Sequence, residues 1–395
     1  MKDVAYRFLE PLDVLFLRGN KLFGDPGSFG ESLVPPWPSV AAGALRSRIL
    51  ADDKVDLAAF ARGGVIHPTL GTPDNPGSFV LRAFHLARRF ADGGVEMLTA
   101  PPADLMISQG EDLRLEVRRL SPHDFGELRA MLKSSYLLPQ LPVLAQPERS
   151  KPAGGYWLTE PGWGKYLAGD TPSADELVSS AALWQLEVRV GVGLDSATRS
   201  AAEGRLFTNQ AVAMVKRGLR AGKNGADFDA GFLVAVAGAE VPTSGMLRFG
   251  GDGRAAAVHP APGYQAPEPD YAAISGRRRC RMILASPGIF PGGWLPPGTQ
   301  QNGEQSFRFE LHGVRARLVA AAVARAETIS GWDLARALPK KAQRVAPAGS
   351  VYWLSELEAE PEDLKRLVER GLWQEPCEDP VRRAEGFNRI WLAQW

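Results

Sequence analysis

Residues 9–48 read LEPLDVLFLRGNKLFGDPGSFGESLVPPWPSVAAGALRSR, and their order sets the expected fold. Alternating and apolar residues from Val4 to Arg18, interrupted at Pro11, predict a strand. A Gly/Pro-rich loop follows through Pro38. Ser39 then reads as the N-cap of an Ala-rich helix over 39–51, with Val40, Ala44, Leu45 and Ile49 on one face. Strand, open loop and helix N-terminus together present backbone N–H groups and a basic side chain at one place. Such an arrangement favours an anion such as phosphate. Arg18 and Lys21 stand in the loop, and Arg46 and Arg48 in the second half of the helix.

The chain has 395 residues, a length that suits two domains. It is 45% hydrophobic and 23% charged, the composition of a globular protein with a full core. The net charge of +1 excludes the broad basic field of a nucleic-acid-compacting protein. Arginine nevertheless outnumbers lysine roughly threefold. Guanidinium suits bidentate phosphate contact and stacking on bases. A GC-rich genome raises Arg, Ala, Gly and Pro together, so the bias alone names no partner. The two cysteines, Cys280 and Cys377, sit in no metal spacing, as expected in a reducing cytosol. The N-terminal stretch lacks the apolar core of a signal peptide, and no run approaches the ~18 apolar residues of a membrane helix. A cytoplasmic location is therefore expected.

Further along, strands are expected over 79–86, 95–98 and 113–120, bounded by turn residues. A Pro-rich but aromatic stretch over 138–163 reads as an ordered crossing between two halves. Short helices are expected over 162–168 and 173–182. The segment 183–214 reads as a long hairpin with a glycine-bearing kink (Gly191, Gly193) and a basic tip, its residues 197–202 open to either turn or helix. FLVAVAG (232–238) has the look of a buried strand, whereas 250–275 reads as loop. A buried strand follows the basic run Arg277–Arg279. In 314–326, strand and helix compete. A helix over 362–370, entered through Pro361 and stopped at Gly371, is expected, then a final strand. The mixed order argues an α+β fold built on antiparallel sheets.

Catalytic chemistry is scarce. The five histidines (His67, His85, His123, His259, His312) lie in no metal-ligand spacing. No nucleophile elbow, phosphate-cradling P-loop or paired-cysteine motif is present. Acidic pairs sit beside helix starts, where they cap and solvate. Phosphate-type contacts have more support: Arg18, Lys21, Ser39, Arg46, Arg48, Arg199, Arg205, the run Arg277–Arg279, Lys340, Lys341 and Arg344. Several lie beside glycine turns and aromatics (Phe23, Trp37, Phe207, Trp332). Phosphate charge combined with stacking is how single-stranded RNA is held.

Six segments in order carry a resemblance. They are PLDVLFLRGNKLFG with PPWPSVAAGALRSRIL, GYWLTEPGWGKYLAGDTPS, LEVRVGVGLDSATRSAAEGRLF, ILASPGIFPGGWLP, ISGWDLARALPKKAQRVAPAGSVYW and GFNRIWLAQW. Together the chain resembles the third subunit of the Cmr-type (type III-B) CRISPR effector complex, in the RAMP superfamily. The SGWD and PAGSVYW segments separate it from the sister type III-A complex. The resemblance implies two ferredoxin-like, RRM-related domains with long loop insertions, drawn here at 1–180 and 181–395. It implies a subunit without catalysis or cofactor, which binds the 5′ tag of the CRISPR RNA. It implies contact with the large polymerase-like subunit and the backbone RAMP subunit. Arg18, Arg46, Arg48, Lys340 and Lys341 fall in the matching motifs. The tail is poorer in glycine than the superfamily's glycine-rich loop, but Gly386 would permit close backbone approach to a phosphate. The alternative is a metal-independent RAMP endoribonuclease, for which His67 or His123 would serve as general base.

Overall fold

The structure is a computed structural model describing residues 4–19, 29–110, 114–131, 138–146, 150–195, 197–218, 227–303, 306–333 and 335–395. Its principal strands are β1 (Val4–Pro11), β2 (Val80–Phe90), β3 (Val95–Leu98), β4 (Trp184–Leu194), β5 (Ala201–Met214), β6 (Phe228–Ala237), β7 (Met246–Arg248), β8 (Ala255–Pro260), β9 (Cys280–Leu284), β10 (Thr299–Gln301), β11 (Phe307–Leu311), β12 (Val314–Ala322), β13 (Val351–Glu358) and β14 (Ile390–Gln394). The helices used below are α1 (Pro38–Asp52), α2 (Glu160–Leu167), α3 (Tyr271–Arg277), α4 (Pro361–Arg370) and α5 (Pro380–Ala384).

Two six-stranded sheets organise the molecule, in the orders β7-β8-β1-β6-β2-β3 and β10-β11-β12-β13-β9-β14. Every neighbouring pair is antiparallel. The mixed α+β class expected from the sequence is what the chain forms. The four central strands of the first sheet (β8-β1-β6-β2) and the four strands of the second sheet read inward from its β14 edge (β14-β9-β13-β12) share one interleaved order. Numbered by their appearance in each module, they run fourth, first, third, second. In the first module, helix α1 links the first and second of these strands; in the second, α4 links the third and fourth.

Strands β6 and β8 lie beyond the expected boundary at 180/181, yet they flank β1, with Phe8 opposite both Leu233 and His259. The sheets change over between Pro260 and Cys280. The segment 250–275 is less loop-like than its Gly/Pro content suggests, because β8 closes on β1 and α3 forms behind an Asp270 cap. The competition within 314–326 resolves to strand, as the alternating burial of its first residues shows. The helix expected over 173–182 is instead a turn of 3-10 helix, a short strand pairing Leu177–Ser179 with Tyr156–Leu158, and a second 3-10 turn. Helix α1 begins one residue earlier than predicted. Pro38 occupies its first turn and Trp37 is the N-cap, so Ser39 caps nothing. Proline suits that position because its fixed φ is helical and it has no N–H to leave unpaired.

Each sheet packs its helix on one face. Leu9, Phe232, Val234 and Leu81 meet Ala41, Leu45 and Ile49 of α1 in the first module. Met282, Leu354 and Leu392 meet Leu364 and Leu367 of α4 in the second. The opposite faces pack on each other. Phe8, Ala87 and Leu233 of the first sheet share one cluster with Ile283, Val319, Val351 and Trp353 of the second, and Trp163 and Tyr166 of α2 lie within it. A buried ion pair crosses this junction. Arg281 Nη1 donates to Asp104 Oδ2 at 2.8 Å, and the two residues are 1% and 0% exposed. Tyr166 Oη donates to Asp104 Oδ1 at 2.7 Å.

Candidate nucleic-acid interface

In an RRM-type sheet the open face stacks bases. Here both open faces are buried in the shared junction, which leaves edges, loops and the hairpin to meet a nucleic acid.

The first strand of the hairpin β4–β5 is largely exposed. Its register runs from Trp184 opposite Met214 to Val192 opposite Leu206, with a bulge before Leu194. Phe29–Gly30 pairs alongside it at Thr208–Asn209, and Leu15 bridges Val212. The end of the first loop is thereby tied to the hairpin base. Ser32 N donates to Gln210 Oε1 at 3.1 Å, and Ser32 Oγ donates to the Gln210 carbonyl. Arg18 forms a backbone bridge to Ser32, so this predicted residue does sit at the hairpin base. Burial lowers its pKa, opposed by Asp252.

Strand alternation gives the hairpin two different faces. One carries Leu186, Val188, Val190, Val192, Leu194 and Leu206, of which Val188 and Val190 are 63% and 68% exposed. The other carries Glu187, Arg189, Arg205 and Phe207. Glu187 and Arg189 form an ion pair at 2.8 Å. Gly191 is opposite Phe207, and a Cβ there would collide with the ring, so the glycine lets the ring lie across the strand. Gly193 does the same for Arg205, where an added Cβ would fall 2.9 Å from the side chain. At the tip, Asp195 accepts from the N–H groups of Ala197 and Thr198, bonds that hold its carboxyl below the usual range. Residues 197–200 form the turn and β5 begins at Ala201, so 197–202 holds no helix, and Arg199 is exposed in the turn at φ +54°. Arg199, Arg205 and Phe207 thus share one element.

A second group of predicted residues meets at the seam between the modules. Trp37 packs with Ile329, Val345, Trp373 and Phe387 in a small cluster that gathers the first, fifth and sixth of the matching segments. Beside it, the buried Glu385 accepts from Lys340 Nζ and, at 3.0 Å, from Arg382 Nη1. Arg46 has its pKa lowered by burial and is attracted by the same carboxylate. Lys340 and Arg46 are therefore drawn into an internal charge network, whereas Lys341 is exposed. Arg48 is also held within the protein, by Asp52 at 2.7 Å and the Met246 carbonyl at 2.6 Å. Gly386 has φ +89°, but the group it approaches is Leu81, whose carbonyl would lie 2.9 Å from an added Cβ. Its freedom serves the seam. Lys21 and Phe23 lie outside the described residues.

Three of the five histidines, His67, His85 and His259, are buried or paired within the protein, whereas His123 is exposed. His67 Nδ1 accepts from the N–H of Leu70 at 3.1 Å, which assigns the proton to Nε2 and directs it to Asp53 at 2.8 Å. His259 pairs with Glu10 at 2.8 Å. His123 stacks edge-on against Phe125. His85 is buried near Trp391, and burial pushes its pKa down to about 4. Among the described residues, no group of three or more His, Cys, Asp or Glu is placed to hold a metal ion. No helix among them is long and apolar enough to cross a membrane. Sequence reasoning passed over Arg82, Arg383 and Arg389, which meet in a cleft between the modules although up to about 300 positions separate them. The doublet Arg382-Arg383 ahead of Gly386 was the available signal.

Comparison with known proteins follows from this geometry. A family model described as CRISPR-associated protein (Cas_Cmr3) matches residues 7–395. No curated protein matches the sequence. Among solved structures, the chain is similar to one in the Type III-B Cmr-beta bound to cognate target RNA and AMPPnP, at 14% identity and TM-score 0.44, covering 98% of this chain and 99% of that one. A second similarity is to a chain in the Type III-B Cmr-beta bound to cognate target RNA, at 14% identity and TM-score 0.41, covering 88% and 86%.

Proposed function

Because the chain belongs to the Cas_Cmr3 family of CRISPR-associated proteins, we propose that it is a non-catalytic subunit of a type III-B effector complex. In this reading it is the third, RAMP-superfamily subunit. It binds the 5′ tag of the CRISPR RNA and docks the large polymerase-like subunit and the backbone subunit. The interleaved strand order common to both sheets, with one crossover helix in each, supports the ferredoxin-like assignment of the two modules.

The observation that carries the proposal is the two-faced hairpin. Its Arg205–Phe207 side combines a guanidinium with an aromatic ring, the pairing that holds single-stranded RNA through phosphate charge and base stacking. Its valine side is an apolar strip that a lone soluble subunit leaves wet and a neighbouring subunit would cover. One observation supports the absence of catalysis: His67, the first candidate base, already holds Asp53 and two backbone N–H groups.

The test is co-purification with the large polymerase-like subunit, followed by binding to CRISPR RNA with and without its 5′ tag. A stable heterodimer that prefers tagged RNA is expected. A lone protein that cuts repeat RNA without metal, losing activity on His67→Ala or His123→Ala, overturns the proposal in favour of the endoribonuclease.

A further inference from the structure

Where the last turn of α4 meets the edge of β2, a cleft of about 250 Å³ is lined by Val80, Arg82, Glu369, Arg370, Arg383 and Arg389. Four guanidiniums and one carboxylate converge there from both modules. Most of the internal partners are neutral. Arg389 donates to the carbonyls of Glu369 at 2.8 Å and Val368 at 3.0 Å, and Arg82 Nη1 also donates to the Glu369 carbonyl. Arg383 pairs with Glu375 at 2.9 Å, at the rim. Arg370 is exposed and no carboxylate among the described residues pairs with it. Arg82 Nε is buried with no acceptor at all.

The carbonyls at a helix C-terminus carry partial negative charge, which explains how the arginines gather there. Those partial charges and the two carboxylates, Glu369 in the lining and Glu375 on Arg383, leave the four guanidiniums in excess. At Arg389, burial first and then the neighbouring Arg82 and Arg383 push the pKa down to about 9, against the pull of Glu369. An anion with several acceptor oxygens matches this set, since guanidinium forks bind phosphate oxygens in pairs.

We propose that the cleft lined by Arg82, Arg370, Arg383 and Arg389 is a seat for a phosphate group, bridging the two modules. The seat is separate from the hairpin and rests on its own lining, not on the tag-binding reading. A phosphodiester of an RNA and the phosphate of a mononucleotide offer it the same chemistry.

The experiment is a titration of the full chain with inorganic phosphate, at ionic strength held constant with chloride, read as the thermal unfolding midpoint. A saturable rise is expected in the wild type. Arg370→Gln and Arg383→Gln, which hold no backbone carbonyl, should each weaken the apparent phosphate affinity about tenfold or more. A flat midpoint in the wild type, or an unchanged response in both variants, overturns the seat. Competition then separates the sources. Displacement of phosphate by a short RNA but not by AMP supports a phosphodiester, and the reverse supports a nucleotide. Displacement by neither overturns the seat as a site for either. Loss of tagged-RNA binding in hairpin variants that keep the phosphate response would show the two sites to be independent.

Discussion

Replacing Asp104 with alanine should destabilise the protein by about 3 kcal/mol, although Asp104 lies in neither sheet. Arg281 is 1% exposed and directs its donors to four acceptor contacts: Asp104 Oδ2, the Tyr166 carbonyl at 2.9 Å, and the Gln394 carbonyl at 3.1 and 3.0 Å. Its guanidinium also lies 4.1 Å from the centre of the Tyr166 ring. Burial opposes the charge, but Tyr166 and Asp104 outweigh it and hold the pKa above the ordinary arginine value. Removing one partner of a buried ion pair costs about 3–5 kcal/mol, because the other charge stays desolvated. The three carbonyl bonds that survive in Asp104→Ala place the cost at the lower end of that range. The double variant Asp104→Leu with Arg281→Met removes both charges and should recover to within about 1–2 kcal/mol of the wild type. Urea unfolding followed by tryptophan fluorescence is the assay, since Trp163 stacks on Tyr166 at 5.2 Å and reports on this junction. An Asp104→Ala protein within about 1 kcal/mol of wild type, or a double variant worse than the single one, would refute the reasoning.

Other outcomes follow from the same structure. His85 has a folded pKa of about 4 against about 6.5 when unfolded, so the unfolded state takes up its proton first. Stability should be full above pH 6.5 and fall by about 3 kcal/mol as the pH drops from 6.5 to 4, and His85→Gln should flatten that slope in urea titrations. Gly386→Ala forces a side chain into φ +89° against the Leu81 carbonyl and should cost about 1–3 kcal/mol by the same assay. Val188→Asp with Val190→Asp should leave stability within about 0.5 kcal/mol while abolishing co-purification with a neighbouring subunit, and unimpaired co-purification would remove this face from the interface. Arg199→Ala with Arg205→Ala should weaken tagged-RNA binding and flatten its salt dependence by about one unit of slope for each phosphate that is no longer neutralised, with equal slopes counting against RNA binding there.

Much of the fold is legible in the chain because strands advertise themselves by alternation. The segment 314–322 shows this, as do the glycine stop and proline entry of α4. Local signals misled where tertiary pairing won. The Ser173 and Glu176 capping box is real, but Leu177–Ser179 finds Tyr156–Leu158 and the helix ends after one turn. The site is less legible. Arg48, Lys340 and Gly386 look available in a string of letters, and only the folded chain reveals Asp52, Glu385 and Leu81 beside them. The valine row of β4 would pass for core by its pattern. Nothing local says that no second layer among the described residues covers it.

The order of strands in the first sheet has a consequence during synthesis. β1 is complete at Pro11, but both strands that flank it, β6 and β8, are more than two hundred residues downstream. At ribosomal rates of about 5–20 residues per second, β1 waits roughly ten to forty seconds with both edges unpaired. Unpaired edges of apolar strands invite pairing with other chains. The nascent chain therefore exposes both edges of its first strand until β6 and β8 have been made. The second module faces a shorter delay, of roughly a hundred residues between β9 and β14.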